Sequence, residues 1–248
     1  MATGVLIPNY ETNPIIIALD VDSTTDALEL VDRIGPAADF YKIGFELYAA
    51  GGMEFVSQLA SFRKKIFLDL KLYDIGETVK RATRKICQSS AVTFLTVHGS
   101  RSVMNAAAEG RGGSKVKLLA VTVLTSFDQE DLADLGYAVA VSDLVELRVR
   151  KAVESRMDGI VCSPREVARV REVGGPNLML VTPGVRSAGA AAGDQKRVAT
   201  PGEAIRDGAD YLVIGRQVTR AADPRAAYEE LVAELRGATA PQFTTSKA

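Results

Sequence analysis

Short apolar runs alternate along this chain with longer segments in which apolar residues recur at helical spacing. The runs predict β-strands over residues 15–19, 40–44, 65–71, 92–97, 117–123, 159–161, 178–182 and 211–214. The intervening periodicity predicts helices over 25–34, 53–62, 77–90, 102–108, 142–155, 164–172, 201–207 and 224–235. Cap chemistry marks several starts: Ser23 or Thr24 before the first helix, Ser163-Pro164 at the sixth and Thr200-Pro201 at the seventh. Glycines mark several ends, at Gly35, Gly110, Gly174 and Gly208. Strand–helix alternation implies a parallel sheet, and eight repeats imply an α/β fold closed as a single (β/α)8 TIM barrel. No internal boundary interrupts the pattern, so residues 1–236 are expected to form one catalytic domain. The polar, aperiodic residues 237–248 are expected to form a flexible C-terminal tail.

One strand breaks its own pattern. In Phe67-Leu68-Asp69-Leu70-Lys71-Leu72-Tyr73-Asp74, charges punctuate a run that otherwise reads as buried, and burying charge is costly unless it is paired. Strand alternation points Asp69 and Lys71 the same way, with Cα atoms roughly 7 Å apart, and sends Ile66, Leu68, Leu70 and Leu72 to the other face. Alone, such a pair fits a structural ion pair at a strand end as well as a site.

Charges at other strand ends shift that balance, because active groups of such barrels gather at the C-terminal ends of the strands. Asp20 ends the first strand, Lys42 lies near the end of the second, Asp69 and Lys71 end the third, and Asp74 opens the loop that follows. Asp20, with Asp22 close behind, also suits a turn before the first helix, and Lys42 could extend to solvent. Charges of alternating sign from three neighbouring strands offset one another's burial, and Gly44 beside Lys42 leaves room for a ligand. Thr182-Pro183-Gly184-Val185-Arg186 and Ile214-Gly215-Arg216 follow the last two strands, where barrels of this type bind phosphate. Arg186 and Arg216 would add forked hydrogen bonds to such an anion. The small-residue stretch 187–195 between them reads either as a plain linker or as a loop able to close over a ligand.

Composition narrows the partners. The formal net charge of −1 and pI near 6.0 give no electrostatic case for nucleic acid or an anionic membrane. The absence of a long apolar span or a signal-peptide layout points to a cytoplasmic protein. Cys87 and Cys162 lie in apolar contexts and read as buried free thiols, and a single histidine without a CxxC pair leaves few zinc ligands, so no metal site is expected. That histidine, His98, closes the fourth strand and reads as a structural hydrogen bonder ahead of an acid/base group.

Residues 69–79, Asp69-Leu70-Lys71-Leu72-Tyr73-Asp74-Ile75-Gly76-Glu77-Thr78-Val79, resemble the signature of the orotidine 5′-phosphate decarboxylase family. Leu19-Asp20, Tyr41-Lys42-Ile43-Gly44, Val123-Leu124-Thr125-Ser126, Thr182-Pro183-Gly184-Val185-Arg186, Asp194-Gln195 and Ile214-Gly215-Arg216 are similar to that family's other blocks, in the same order. The resemblance implies decarboxylation of orotidine 5′-monophosphate to UMP, the last step of de novo pyrimidine synthesis, with no metal or organic cofactor. It implies Lys42, Asp69, Lys71 and Asp74 as the charged catalytic network. Asp20 and Lys42 would bind the ribose, Thr125 the pyrimidine, and Arg186, Gln195, Gly215 and Arg216 the phosphate. It further implies a homodimer in which Asp74 and Thr78 serve the neighbouring subunit. The chain departs from the commonest signature at Tyr73, Gly76 and Glu77, where many members carry His, Pro and Asn; this bears on loop rigidity and dimer-edge packing.

Two rival readings stand beside it. A 3-keto-gulonate 6-phosphate decarboxylase-like barrel shares the Asp-x-Lys-x-x-Asp segment but binds magnesium, and an ammonium at Lys42 would repel that cation. A non-catalytic barrel binding nucleoside monophosphates is the other, and it gives no reason to keep Lys71 beside two carboxylates.

Overall fold

Strands of a parallel sheet covered on both faces must be apolar on both faces, and that requirement explains the nearly unbroken hydrophobic runs. The computed structural model describes residues 13–187 and 199–239. Its strands are β1 (Ile15–Leu19), β2 (Phe40–Ile43), β3 (Lys65–Leu72), β4 (Val92–His98), β5 (Lys117–Val121), β6 (Gly159–Val161), β7 (Met179–Pro183) and β8 (Tyr211–Ile214). Each pairs in parallel with the next, and β8 returns to β1 through Ile15 opposite Leu212 and Ile17 opposite Ile214, closing the barrel.

The helices are α1 (Thr24–Ile34), α2 (Phe45–Ser61), α3 (Gly76–Cys87), α4 (Arg101–Arg111), α5 (Gln129–Asp134), α6 (Val141–Glu154), α7 (Val167–Gly174), α8 (Pro201–Arg206), α9 (Arg216–Thr219) and α10 (Pro224–Thr239). None of them is long and apolar enough to cross a membrane. The fold is the (β/α)8 barrel that the alternation predicts, with three local differences. Helix α2 begins at Phe45, well before residue 53, and joins two helical pieces at Gly52, whose φ is 54°. The adjacent Gly51 is required by close approach, since a Cβ there would lie 2.5 Å from both Phe55 Cβ and Thr24 Cγ2. Two short helices, α5 and α9, lie outside the predicted helical segments. Helix α10 passes through Gly237 to Thr239, and the rest of the expected tail lies outside the described residues.

Alternation splits the apolar side chains into two cores. The larger lies between strands and helices and includes Ile17, Tyr41, Leu68, Leu95 and Leu180. The smaller fills the barrel and includes Ile16, Phe40, Phe67, Phe94, Leu119 and Val213. At its heart the Phe94 ring packs edge-on against Phe40 at 4.9 Å, Tyr211 at 5.3 Å and Phe67 at 5.9 Å. Edge-to-face contacts at these separations are favourable beyond their buried area. Two residues further along their strands, roughly 6.6 Å toward the mouth, Phe40 is followed by Lys42, Phe67 by Asp69 and Phe94 by Thr96. An aromatic floor thus supports a polar layer.

At the end of β4, the Tyr73 ring stacks against His98 with centroids 4.2 Å apart. The buried Nδ1 of His98 has no hydrogen-bond partner among the described residues, unlike the structural hydrogen bonder expected there. Burial, and secondarily the Arg148 guanidinium, pushes the imidazole down from its ordinary 6.5 to about 4. The folded state therefore binds this proton less readily than the unfolded chain. The stabilisation linked to neutral His98 is complete above pH 6.5 and is lost as the pH falls toward 4. The melting temperature of the wild type is expected to fall more steeply across that window than that of His98→Gln, as read by thermal unfolding at a series of pH values. Parallel curves would remove His98 from the acid sensitivity.

Candidate active site

The polar layer is built from the ends of four adjacent elements. Lys42, on β2, places Nζ 2.9 Å from Asp20 Oδ1 and 3.9 Å from Asp69 Oδ2. Lys71 Nζ lies 2.9 Å from the same Asp69 oxygen. The side chains of Lys42 and Asp69 are each 12% exposed, against 34% for Lys71 and 59% for Asp20, so the central pair carries most of the desolvation cost. Asp69 offsets that cost by meeting both ammonium groups through one oxygen.

Its other oxygen has a partner that the sequence reading did not identify. The Thr96 hydroxyl donates to Asp69 Oδ1 at 2.9 Å and accepts the Lys71 backbone N–H at 2.9 Å. Thr96 is fully buried. The signal was present in sequence: Phe94, Thr96 and His98 share one strand face, and a hydroxyl between rings on an inward face needs partners. The same hydrogen bonds explain a departure from regular strand geometry. Lys71 has φ 47°, and the β3–β4 register shifts between Leu68 and Leu72. A left-handed lysine costs about 1–3 kcal/mol and persists only where its surroundings hold it. Here the Thr96 hydroxyl takes up the amide that leaves the ladder, and the twist turns Lys71 toward Asp69.

Glycine keeps the space above Lys42 open. A Cβ at Gly44 would sit 3.2 Å from Lys42 Nζ and 3.9 Å from Asp20 Oδ1. The result is a cavity of about 550 Å³ at the barrel mouth. Asp20, Lys42, Asp69 and Lys71 form one wall; Val121, Val123, Val161 and Pro183 give the opposite side an apolar face; Thr125 stands at its edge. Arg186, Gly215 and Arg216 close a third side, joined by Arg220, which the sequence reading did not single out. Burial and then the neighbouring Arg216 hold the Arg186 guanidinium below its usual range. A cation disfavoured by burial and by a neighbouring arginine forms a natural seat for an anion.

Not every predicted residue faces this cavity. Asp74 is exposed, its carboxylate accepting only the adjacent Ile75 N–H at 2.6 Å among the described residues. With Thr78 it lines a separate groove of about 440 Å³ alongside Phe45 and Tyr73. Gln195 and nearly all of the expected closing loop lie outside the described residues. His98 faces a neighbouring cavity with Lys71, Tyr73 and Arg148.

The arrangement can bind an elongated ligand: an anion at the arginines, a flat apolar body against the valines, and a negative charge presented to two lysines bridged by a carboxylate. The chain is similar to known proteins over most of its length. The model of the Orotidine 5′-phosphate decarboxylase / HUMPS family matches residues 13–231. An orotidine 5′-phosphate decarboxylase from a strain of Rhodopseudomonas palustris is 53% identical over 225 residues, spanning 91% of this chain and 95% of the relative. One from Methylobacterium radiotolerans is 52% identical over 221 residues, spanning 89% of this chain and 95% of the relative. The crystal structure of orotidine 5′-phosphate decarboxylase from Lactobacillus acidophilus superposes with a TM-score of 0.77 at 33% identity, covering 90% of this chain and 99% of that one. With its barrel and cavity lying inside a match of that length, the chain belongs to the orotidine 5′-phosphate decarboxylase / HUMPS family.

Proposed function

We propose that the protein decarboxylates orotidine 5′-monophosphate to UMP and CO₂, completing de novo pyrimidine synthesis in the cytoplasm, and that residues 1–236 form its single catalytic domain. The observation that carries this reading is the Asp69 carboxylate bridging two ammonium groups, 2.9 Å from Lys71 Nζ and 3.9 Å from Lys42 Nζ, at a cavity also lined by Arg186, Arg216 and Arg220. Lys42 also separates the site from the magnesium-dependent alternative. Its ammonium already lies between Asp20 and Asp69, the two carboxylates a divalent ion would need.

In this reading Arg186, Gly215, Arg216 and Gln195 hold the phosphate, Asp20 and Lys42 the ribose, and Thr125 the pyrimidine. The bond from ring carbon C6 to the carboxylate breaks, CO₂ departs, and the electron pair remains on C6. Lys71 stabilises that charge as it develops and then delivers a proton from Nζ to the same carbon. Asp69 faces the departing carboxylate. Two unit charges 4 Å apart repel by about 4 kcal/mol at an effective dielectric of 20, or about three decades of rate. That falls short of a full account, so the main task of Asp69 is to orient the two lysines. Asp74 and Thr78 complete the partner's site in a homodimer. The exposure of Phe45, Tyr73 and Ile75 (62%, 70% and 73%) around Asp74 supports an interface there, since exposed apolar clusters of this kind are normally covered.

The direct test follows the loss of orotidine 5′-monophosphate absorbance. Wild-type protein is expected to turn over and Lys71→Ala to lose at least about three orders of magnitude in kcat, while UMP affinity changes less than about tenfold. A wild type that binds UMP without turnover would instead mark a binding barrel. Thr96→Val, which keeps shape but removes the hydroxyl, is expected to lower kcat about 10- to 100-fold with KM nearly unchanged; a rise in KM alone would remove Thr96 from positioning Asp69 and Lys71. Sharing of Asp74 is read by mixing Lys71→Ala with Asp74→Asn. Random re-pairing makes half of the dimers mixed, each with one intact site, so activity is expected to recover to about one quarter of wild type. A mixture as inactive as its parents would return Asp74 to its own barrel.

A further inference from the structure

Arg148 projects from α6 across the top of β4 and β5, outside the cavity described above. Its Nη1 donates to the Thr122 carbonyl, and its Nη2 donates to the Tyr137 hydroxyl at 3.1 Å. The guanidinium also lies over the Tyr137 ring, 5.6 Å from its centroid. Gly99 makes the crossing possible, since a Cβ there would meet the Val121 carbonyl at 2.6 Å and Arg148 Cδ at 3.1 Å.

Thr122 is the first residue beyond β5, and Tyr137 lies just past α5. One guanidinium therefore holds both ends of segment 122–137, the segment that carries Thr125 to the edge of the active-site cavity. Within it, Leu132 is buried in the outer core and anchors α5. Between the part before α5 and the barrel rim lies the cavity that His98 also faces, about 420 Å³ and lined there by Leu124, Phe127, Val121 and His98. Val123 and Phe127 pack against the outer core, but a segment bordering an open cavity is placed less tightly by packing than one in a filled interior, so hydrogen bonds share the work. Its ends are held by the Thr122 hydroxyl, which donates to the Val161 carbonyl at 3.2 Å, and by Arg148, whose charged donor on a part-buried carbonyl is the stronger kind of bond.

We propose that Arg148 is a positioning residue that sets recognition of the pyrimidine end of the ligand, by fixing the segment that carries Thr125 relative to Lys71. The inference rests on the decarboxylase reading, in which Thr125 meets the base. It assigns to Arg148 an effect on base-bearing ligands alone. The phosphate side of the cavity is formed by Arg186, Gly215 and Arg216, which follow β7 and β8, and Arg148 does not line that cavity.

The experiment compares UMP with ribose 5-phosphate by isothermal titration into wild type, Arg148→Met and Arg148→Lys. Arg148→Met is expected to weaken UMP about tenfold, the size of a lost charged hydrogen bond, and to leave ribose 5-phosphate within about twofold. Arg148→Lys should recover part of the loss. In a Thr125→Val background, Arg148→Met should cost little further UMP affinity, because coupled residues are not additive. Tyr137→Phe keeps the ring and removes one acceptor, so it carries the test if Arg148→Met does not unfold cooperatively; about a two- to fivefold loss of UMP alone is expected. Equal loss of both ligands, or unchanged UMP affinity, would overturn the proposal. Failure of the decarboxylase reading has a different signature, with wild-type protein unable to turn over orotidine 5′-monophosphate.

Discussion

The site depends on how a single carboxylate is held. Asp69 sits among apolar strands, and the cost of burying a carboxylate there is offset by partners on both of its oxygens. One oxygen meets Lys71 at 2.9 Å and Lys42 at 3.9 Å, and the other accepts the Thr96 hydroxyl at 2.9 Å. Each contact constrains a different strand. Lys42 comes from β2, Lys71 from β3 and Thr96 from β4, so the carboxylate joins three neighbouring strands at the level where the floor ends and the cavity begins. The left-handed backbone of Lys71 belongs to the same constraint. A regular continuation of β3 would keep its amide in the ladder, whereas the observed twist gives the amide to Thr96 and the ammonium to Asp69.

Much of this was legible in the sequence because it obeys simple periods. The eight strands are short apolar runs, and the charges that interrupt them stand where strand ends should be. Asp20, Lys42, Asp69 and Lys71 are conspicuous as charges in an apolar context, and Arg186 and Arg216 by their place after β7 and β8. Thr96 was not conspicuous, since threonine suits a strand by propensity alone and its role appears only when β3 and β4 are paired. Arg148 was hidden for a similar reason. On a helix rich in charged residues an arginine reads as solvated surface, and only Gly99 and the end of β5, far away in sequence, give it a target. The early start of α2 was masked by Gly51-Gly52, which break a helical pattern in sequence but mark a kink and a close contact with α1 in space.

The interior of the barrel is stratified. Phe40, Phe67, Phe94 and Tyr211 close it below with rings in edge-on contact. Above them the charged layer faces a wall of valines, so the lysines border a space that is polar on one side and apolar on the other. Such a space strengthens electrostatic interactions relative to water, and because Asp69 and Thr96 already hold the lysines, little reorganisation accompanies a change in ligand charge. A floor of smaller side chains would leave voids beneath groups whose placement has to be maintained to a fraction of an ångström.

The two ends of the cavity do different kinds of work. At the lysine end, positive and negative groups alternate and largely satisfy one another, so a ligand gains little there by charge alone until new negative charge appears on it. At the arginine end, like charges face each other and burial already disfavours the Arg186 cation. In the proposed reading a phosphate beside Arg186 would offset that effect, and this attraction lies away from the reacting carbon. Binding energy gathered at a remote group can be used to hold the reacting part in place, whereas equal attraction to the reacting charge before and after the step would not accelerate it. In the proposed reading, a disfavoured Arg186 cation at one end and a balanced array at the other is therefore a division of charge that favours turnover over tight binding of the substrate.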